Sequence, residues 1–338
     1  MMMRAAVLAA FGRPLEIRSV PRPAAAPGQL LVRLRACGIC HSDVHIWRGE
    51  VRPPEAPSTF ILGHEGVGVV EAVGAGVEGW SAGDAVGVPW LHDTCMQCEE
   101  CLDGHESFCQ HQRAHGLNVP GGFAEYVAAD ARFAVPLPPG VDPVATAPVM
   151  CAGVTAYGAI RRAGLQPGEG LAVFGCGGLG LYAVQIAERM GVDVLAIDRD
   201  PAKLDHAGFY GASGMELADA GLADRLAGRR DRRHAAINFA PTTATWDAMI
   251  ACIRPRGRIV AAALVSEPVP LSQEWLTGTG VTITGTSVGT RREMSEVVAL
   301  HARQPLRNPI EEIGLEDASQ ALEMLESGRA NGRYVIRF

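Results

Sequence analysis

Apolar and polar positions change rhythm near the middle of the chain. Up to about residue 150 the apolar residues come in short runs, Leu30–Arg35, Gly66–Val73 and Ala85–Val88, rich in Val or Leu and broken by Gly and Pro. Short runs of this kind between turn residues predict strands, and together they predict an irregular, turn-rich β domain. From about Cys151 the pattern alternates. Leu171-Ala172-Val173-Phe174 predicts a buried strand, glycines follow, and Leu181–Met190 repeats its apolar residues at helical spacing. Val192–Ile197 is the next strand. Asp200 can cap a helix that has Pro201 at its first position and runs to about Tyr210. Ala235–Phe239, Ala244–Ile253 and Arg258–Leu264 continue the alternation. Strands alternating with helices imply βαβ units, so this half predicts an α/β fold on a doubly wound parallel sheet. Glu216–His234, with five arginines, reads as a solvated helix and loop.

Composition narrows the function classes. The chain has 338 residues, room for two or three domains. With 48% hydrophobic and 20% charged residues it has enough apolar surface to fold, which excludes large-scale disorder. A net charge of −7 argues against non-specific nucleic-acid binding, which depends on Lys and Arg neutralising phosphates. Met1-Met2-Met3-Arg4-Ala5-Ala6-Val7 lacks a secretory pattern. The most apolar window, Leu171–Ala187, holds four glycines and Gln185, short of the ~20 continuous apolar residues a membrane span needs. These features predict a soluble, cytoplasmic chain with no membrane or nucleic-acid partner. Lys203 is the only lysine among 30 basic residues, and the other 29 are Arg, a compositional bias.

The glycines after Phe174 form a motif. Gly175-Cys176-Gly177-Gly178-Leu179-Gly180 fits G-x-G-x-x-G, with a strand before it and a helix after. Glycines there allow a tight turn and close approach of the backbone to a pyrophosphate at the helix N-terminus. Asp198 stands 23 residues past Gly175, near the ~20 expected of a carboxylate that binds the adenosine ribose. A carboxylate accepts ribose hydroxyls and repels a 2′-phosphate, so Asp198 predicts NAD, although neighbouring Arg199 is of the type that accommodates NADP.

Nine cysteines in a chain without an export signal point to metal binding or catalysis. Cys95, Cys98, Cys101 and Cys109 fall within fifteen residues. Four thiolates so close can close a tetrahedral shell around Zn²⁺, leaving no open position, so this site predicts a structural zinc. A zinc ribbon for nucleic acid would want two separated hairpins and a basic surface, whereas this loop carries Glu99, Glu100, Asp103 and Glu106. A second set, Cys40, His64 with Glu65, and Cys151, is dispersed. One His and two Cys suit a catalytic zinc with a position left for substrate. Spacing alone does not assemble them; by spacing, Cys37-x2-Cys40 is the more tempting pair.

The segments Cys40-His41-Ser42-Asp43-Val44-His45, Gly63-His64-Glu65, the four-cysteine loop, Cys151-Ala152-Gly153-Val154-Thr155, the glycine loop and Asn331-Gly332-Arg333-Tyr334-Val335 occur in one order along nearly the whole chain. They resemble the zinc-dependent alcohol dehydrogenases of the medium-chain dehydrogenase/reductase superfamily, especially the tetrameric microbial type. The resemblance implies a mainly β, GroES-like catalytic domain from residues 1–149 and 291–338, around a Rossmann domain of residues 150–290, with substrate in the cleft. It implies that Cys40, His64 and Cys151 hold the catalytic zinc and that Glu65 can approach the metal. Ser42 would take the substrate proton and His45 pass it outward, while Asp43 orients His64. His41 and Arg333 would hold the cofactor pyrophosphate, Lys203 would lie near the adenosine ribose and Thr155 beside the nicotinamide.

The implied enzyme carries two zinc ions per subunit and moves hydride between an alcohol and NAD, giving an aldehyde or ketone. A homo-oligomer, dimer or tetramer, is implied, with Val281–Thr286 as the strand that pairs across a dimer. Val51 stands where ethanol-preferring relatives carry Trp, which implies larger primary alcohols as substrates. Trp47 and Trp90 fall in segments that line the substrate cleft of this family. A polyol or formaldehyde dehydrogenase of the same superfamily stays open. A zinc-free quinone reductase is disfavoured by the intact ligand set, and a non-catalytic binding protein by Ser42 and His45.

Overall fold

The structure, a computed structural model, describes residues 1–57, 59–269 and 271–338. The chain divides into two compact units, Met1–Val154 with Val288–Phe338, and Thr155–Ser287.

The second unit is an open parallel sheet. Among the described residues its six strands run in the order Gly214–Leu217, Asp193–Asp198, Gly170–Phe174, Arg233–Asn238, Ile253–Ala261 and Thr282–Gly285. All neighbours are parallel. The chain starts in the middle, winds outward to one edge, then returns to wind toward the other. That order is the doubly wound Rossmann arrangement, which places a ligand crevice at the carboxyl ends of the central strands. The central strand Gly170–Phe174 is buried at every position, as its unbroken apolar run requires when helices cover both faces. Helix Gly178–Arg189 follows it, and helix Pro201–Phe209 starts with Asp200 accepting the Ala202 N–H.

The polar stretch Glu216–His234 departs from expectation. It begins inside the edge strand Gly214–Leu217, contains helix Leu222–Ala227 and ends in strand Arg233–Asn238. Leu222 and Leu226 are buried, and so is Arg233, which ion-pairs with Asp193 and Asp231. The edge strand has no apolar run because only one side of it meets the sheet and only alternate residues are partly covered. Strand Ile253–Ala261 also starts and ends earlier than the apolar run Arg258–Leu264.

The first unit is built on a mostly antiparallel sheet. Its main path runs Ile310–Ile313, Arg333–Arg337, Gln29–Gly38, Glu65–Val73, Ala85–Val88 and Val135–Pro136, and Tyr126–Asp130 also pairs with Gln29–Gly38. The C-terminal strand Arg333–Arg337 therefore lies inside the sheet, parallel to Ile310–Ile313 and antiparallel to Gln29–Gly38. A hairpin of Met2–Val7 and Glu16–Pro21 and a short ribbon of Leu91–Asp93 and Arg113–Ala114 complete it. Among the described residues, this unit packs one apolar cluster around Ile46, Ile61, Leu62 and Phe123 and another around Leu30, Val32, Val70 and Val86. The α/β class with a second, mainly β unit agrees with the sequence reading. Among the described residues no single helix is long and apolar enough to cross a membrane.

Candidate metal and cofactor sites

The local chain explains how the dispersed ligands meet. Strand Gln29–Gly38 ends just before Cys40, which caps helix His41–Arg48; strand Glu65–Val73 begins beside His64; and Cys151 precedes helix Ala152–Ala163. Gly38 pairs with Glu65 across the sheet. One ligand atom from each of Cys40, His64, Glu65 and Cys151 lies within 4.8 Å of the others, and all four residues are buried. The Cys40 and Cys151 sulfurs are 4.0 Å apart. Thiolates about 2.3 Å from one zinc stand about 3.8 Å apart at a tetrahedral angle, so this spacing suits a shared metal. A disulfide would need about 2.05 Å, and none of the nine cysteines forms one.

Asp43 organises the cluster. It is fully buried, and its carboxylate accepts the Cys40 N–H at 2.8 Å, the Gly63 N–H at 3.1 Å and His64 Nδ1–H at 3.0 Å. The first bond also closes a capping box on helix His41–Arg48. With Nδ1 committed to Asp43, Nε2 is the nitrogen of His64 left to bind elsewhere. It is buried without a hydrogen-bond partner, a costly state unless something binds there. Opposite, the Arg333 guanidinium pairs with the Glu65 carboxylate, both nearly inaccessible. Burial, only partly opposed by Arg333, pushes Glu65 up to about 7. The hydrogen bond from Cys151 holds the Cys40 thiol well below the usual range, helped by the nearby His64 and Arg333 charges. The same bond to Cys40, with burial, pushes Cys151 well up.

Gly38 carries no sequence signal, whereas Trp90 stands in a segment that the resemblance places at the substrate cleft. A side chain at Gly38 would put its Cβ 2.0 Å from a Glu65 oxygen, so only glycine leaves room for that carboxylate. Trp90 sets its ring edge-on to His64, centroids 4.9 Å apart. It also lines a cavity of about 280 Å³ in this unit, with Phe133, Met150, Val154, Val288 and Met294. Trp47, by contrast, is buried, its indole N–H on the Arg13 carbonyl at 2.6 Å, so it is a packing residue. Val51 is half-buried and packs against the cluster around Ile46 and Ile61.

Ser42 lies beside the cluster, its hydroxyl 3.8 Å from the Cys40 sulfur. His45 is one helical turn on, with Nδ1 2.6 Å from Glu50. The His41 ring stands 5.2 Å from that of His45, and burial lowers the pKa of His41.

The second cluster is local. Cys95, Cys98, Cys101 and Cys109 also bring their sulfurs within 4.8 Å of one another. Cys95 is 3.9 Å from Cys101 and 3.6 Å from Cys109, again close to the tetrahedral spacing. Backbone N–H groups of Gln97 and Cys98 hold the Cys95 thiol at about 6, ready to ligate as thiolate.

In the parallel-sheet unit the glycines have separate tasks. Gly175 sits at φ +90°, open to glycine without strain. A Cβ at Gly180 would strike the Gly175 carbonyl at 1.9 Å, so this glycine lets helix Gly178–Arg189 approach its strand. A Cβ at Gly177 would meet nothing within 4 Å, so there is open space before the N-terminus of helix Gly178–Arg189, the end of a helix that favours negative charge. Leu179 belongs to the first turn. Asp198 ends the neighbouring strand, its carboxylate accepting the Cys176 N–H at 2.7 Å and the Asp200 N–H at 2.9 Å. Each oxygen keeps a second lone pair for a ribose hydroxyl. Lys203 is half-buried on helix Pro201–Phe209, and Thr155 is buried on helix Ala152–Ala163.

A GroES-like sheet with a buried Cys–His–Cys cluster, and a Rossmann sheet with a glycine turn, define a zinc-binding dehydrogenase. The alcohol dehydrogenase GroES-like domain family matches residues 26–139 and the zinc-binding dehydrogenase family residues 178–303. An alcohol dehydrogenase of Geobacillus stearothermophilus is 39% identical over 339 residues, 99% of each chain. The solved alcohol dehydrogenase of the hyperthermophilic archaeon Aeropyrum pernix has a TM-score of 0.90 at 31% identity, covering 99% of this chain and 100% of that one. Acetophenone reductase from Geotrichum candidum, solved in complex with NAD, has a TM-score of 0.89 at 28% identity, covering 100% and 97%. The chain belongs to the zinc-dependent alcohol dehydrogenases of the medium-chain dehydrogenase/reductase superfamily.

Proposed function

We propose that this enzyme oxidises primary or secondary alcohols with NAD and, in reverse, reduces the aldehydes or ketones. The observation that carries the reading is the buried Cys40–His64–Cys151 cluster, with an unpartnered His64 nitrogen and the Ser42 hydroxyl beside it. Cys40, His64 and Cys151 would hold zinc, with Glu65 close enough to exchange as a ligand. When bound, zinc polarises the alcohol oxygen and NAD accepts the hydride.

The chain's own residues manage the proton. Ser42, both donor and acceptor, receives it and hands it on. His45 keeps Nε2 as its basic atom, because Nδ1 faces the Glu50 carboxylate. Asp43 fixes His64 in the Nδ1–H tautomer, leaving Nε2 to the metal. Cofactor contacts are assigned to His41, Thr155, Gly175, Gly177, Gly178, Leu179, Gly180, Asp198, Lys203 and Arg333.

Cys95, Cys98, Cys101 and Cys109 would hold a second, structural zinc, giving two per subunit. A cytoplasmic homo-oligomer completes the reading. It is supported by the sheet-edge strand Thr282–Gly285, whose β-branched residues would otherwise leave an open edge.

The test is a panel of ethanol to hexanol, benzyl alcohol, a polyol and formaldehyde with NAD and NADP, read as cofactor absorbance. NAD-linked oxidation of simple alcohols supports the reading. Turnover of the polyol or formaldehyde alone would move it to those relatives, and no turnover by zinc-loaded protein would refute it.

A further inference from the structure

His92 and His115 belong to neither cysteine cluster, yet they are 3% and 1% exposed. His92 lies in the ribbon formed by Leu91–Asp93 and Arg113–Ala114, and His115 directly follows it, so that the two flank the loop that carries all four clustered cysteines. The backbone N–H of His115 donates to the Trp90 carbonyl at 2.9 Å. Its Nδ1 lies 2.8 Å from the Pro89 carbonyl, and a carbonyl only accepts, so Nδ1 carries the proton. Burial holds the imidazole neutral, with its pKa at about 3, so Nε2 is a bare acceptor. His92 Nδ1, 3.1 Å from that Nε2, must then be the donor. The pair therefore has one defined arrangement of protons: His92 Nδ1–H to His115 Nε2, and His115 Nδ1–H to Pro89.

One residue thus grips two consecutive carbonyls, those of Pro89 and Trp90. Trp90 is the side chain set edge-on to His64, and it walls the cavity of this unit. We infer that His115, with His92 behind it, is a positioning residue that clamps the Pro89–Trp90 segment and thereby sets which alcohols fit beside His64. This rests on the alcohol-oxidising reading above. A pair that merely stabilised the ribbon would have no effect on substrate choice.

The experiment compares His115→Ala and His115→Asn with the unsubstituted enzyme. The Asn amide can place an N–H where Nδ1–H stood and restore the bond to Pro89. The readouts are the ratio of kcat/KM for benzyl alcohol to ethanol, and the ¹⁹F resonance of 5-fluorotryptophan at Trp90, assigned by its loss in Trp90→Phe. His115→Ala should change the ratio about tenfold, as expected for one buried bond, with His115→Asn staying within about threefold. The Trp90 resonance should shift or broaden in the Ala variant and return in the Asn variant. If His115→Ala does not fold, His92→Phe gives the same readouts, because it frees His115 Nε2 and loosens the ring; the expected change has the same sign and is smaller. Equal loss for both alcohols with an unmoved Trp90 resonance overturns the inference. If the unsubstituted protein oxidises no alcohol, the parent reading and its substrate consequence fall, and the resonance alone decides whether the clamp exists.

Discussion

Asp43→Asn is the most informative single change near the metal cluster. The substitution keeps the shape of the side chain and exchanges one carboxylate oxygen for an NH₂. In the structure Oδ1 receives two donors, Gly63 N–H and His64 Nδ1–H, and Oδ2 receives the Cys40 N–H. Whichever way the amide turns, at least one N–H faces another N–H with no solvent to relieve it, because Asp43 is fully buried. Losing a bond to a charged acceptor costs about 1.5–3 kcal/mol. Falling wholly on the metal-bound state, that is about 10–150-fold in affinity, in line with the 10–100-fold typical of a residue that orients a metal-bound histidine. Competition with a chelator of known affinity should therefore show zinc at the Cys40–His64–Cys151 cluster weakened about 10–100-fold. The four-cysteine cluster serves as internal control, since Asp43 touches none of its residues. Zinc retention within about twofold of the unsubstituted protein would mean that His64 is oriented without Asp43, and the argument would fail.

Cys98→Ala should lower the metal content by one zinc per subunit and reduce Tm, because a closed structural site contributes folding energy; metal analysis and calorimetry check both. Asp198→Gly should narrow the preference for NAD over NADP by about tenfold or more in kcat/KM, through loss of a like-charge contact with the 2′-phosphate. His115→Phe should flatten the acid side of the stability curve. The folded pKa of about 3 lies below the unfolded value near 6.5, so the unfolded chain binds the extra proton. Stability from this group is complete above pH 6.5 and falls on acidification, by about 2 kcal/mol at pH 5. Urea unfolding at pH 7 and pH 5 should show that difference shrinking in the variant, and an unchanged difference would show that His115 titrates normally.

What the chain reveals by itself depends on how local each feature is. The four-cysteine loop and the glycine turn are short segments whose chemistry is complete in adjacent residues, and spacing was enough to read them. Cys40, His64 and Cys151 share a site only because strand Gln29–Gly38 pairs with Glu65–Val73 and Cys151 folds back to meet them, so no spacing rule joins them. Resemblance supplied that grouping. Gly38 has no motif; its role is defined by a carboxylate that arrives from the next strand. His92 and His115 escaped for a related reason. Each is a single polar residue in a short irregular segment, and their bond spans 23 residues across the ribbon. The edge strand Gly214–Leu217 lacked an apolar run because half of it faces outward.

The placement of the last strand also has a consequence in time. Arg333–Arg337 lies inside the first unit's sheet, and Arg333 is the ion-pair partner of Glu65, 268 residues earlier. At ~5–20 residues per second, a ribosome delivers that partner roughly 15–55 s after Glu65. Thr155–Ser287 is contiguous and can close while the chain is still growing, whereas the sheet around Ala36–Gly38 must wait with an open edge. The unit that begins first is finished last. A chain interrupted before Arg333 would leave a buried acid without its counter-ion and a strand edge free to join another chain.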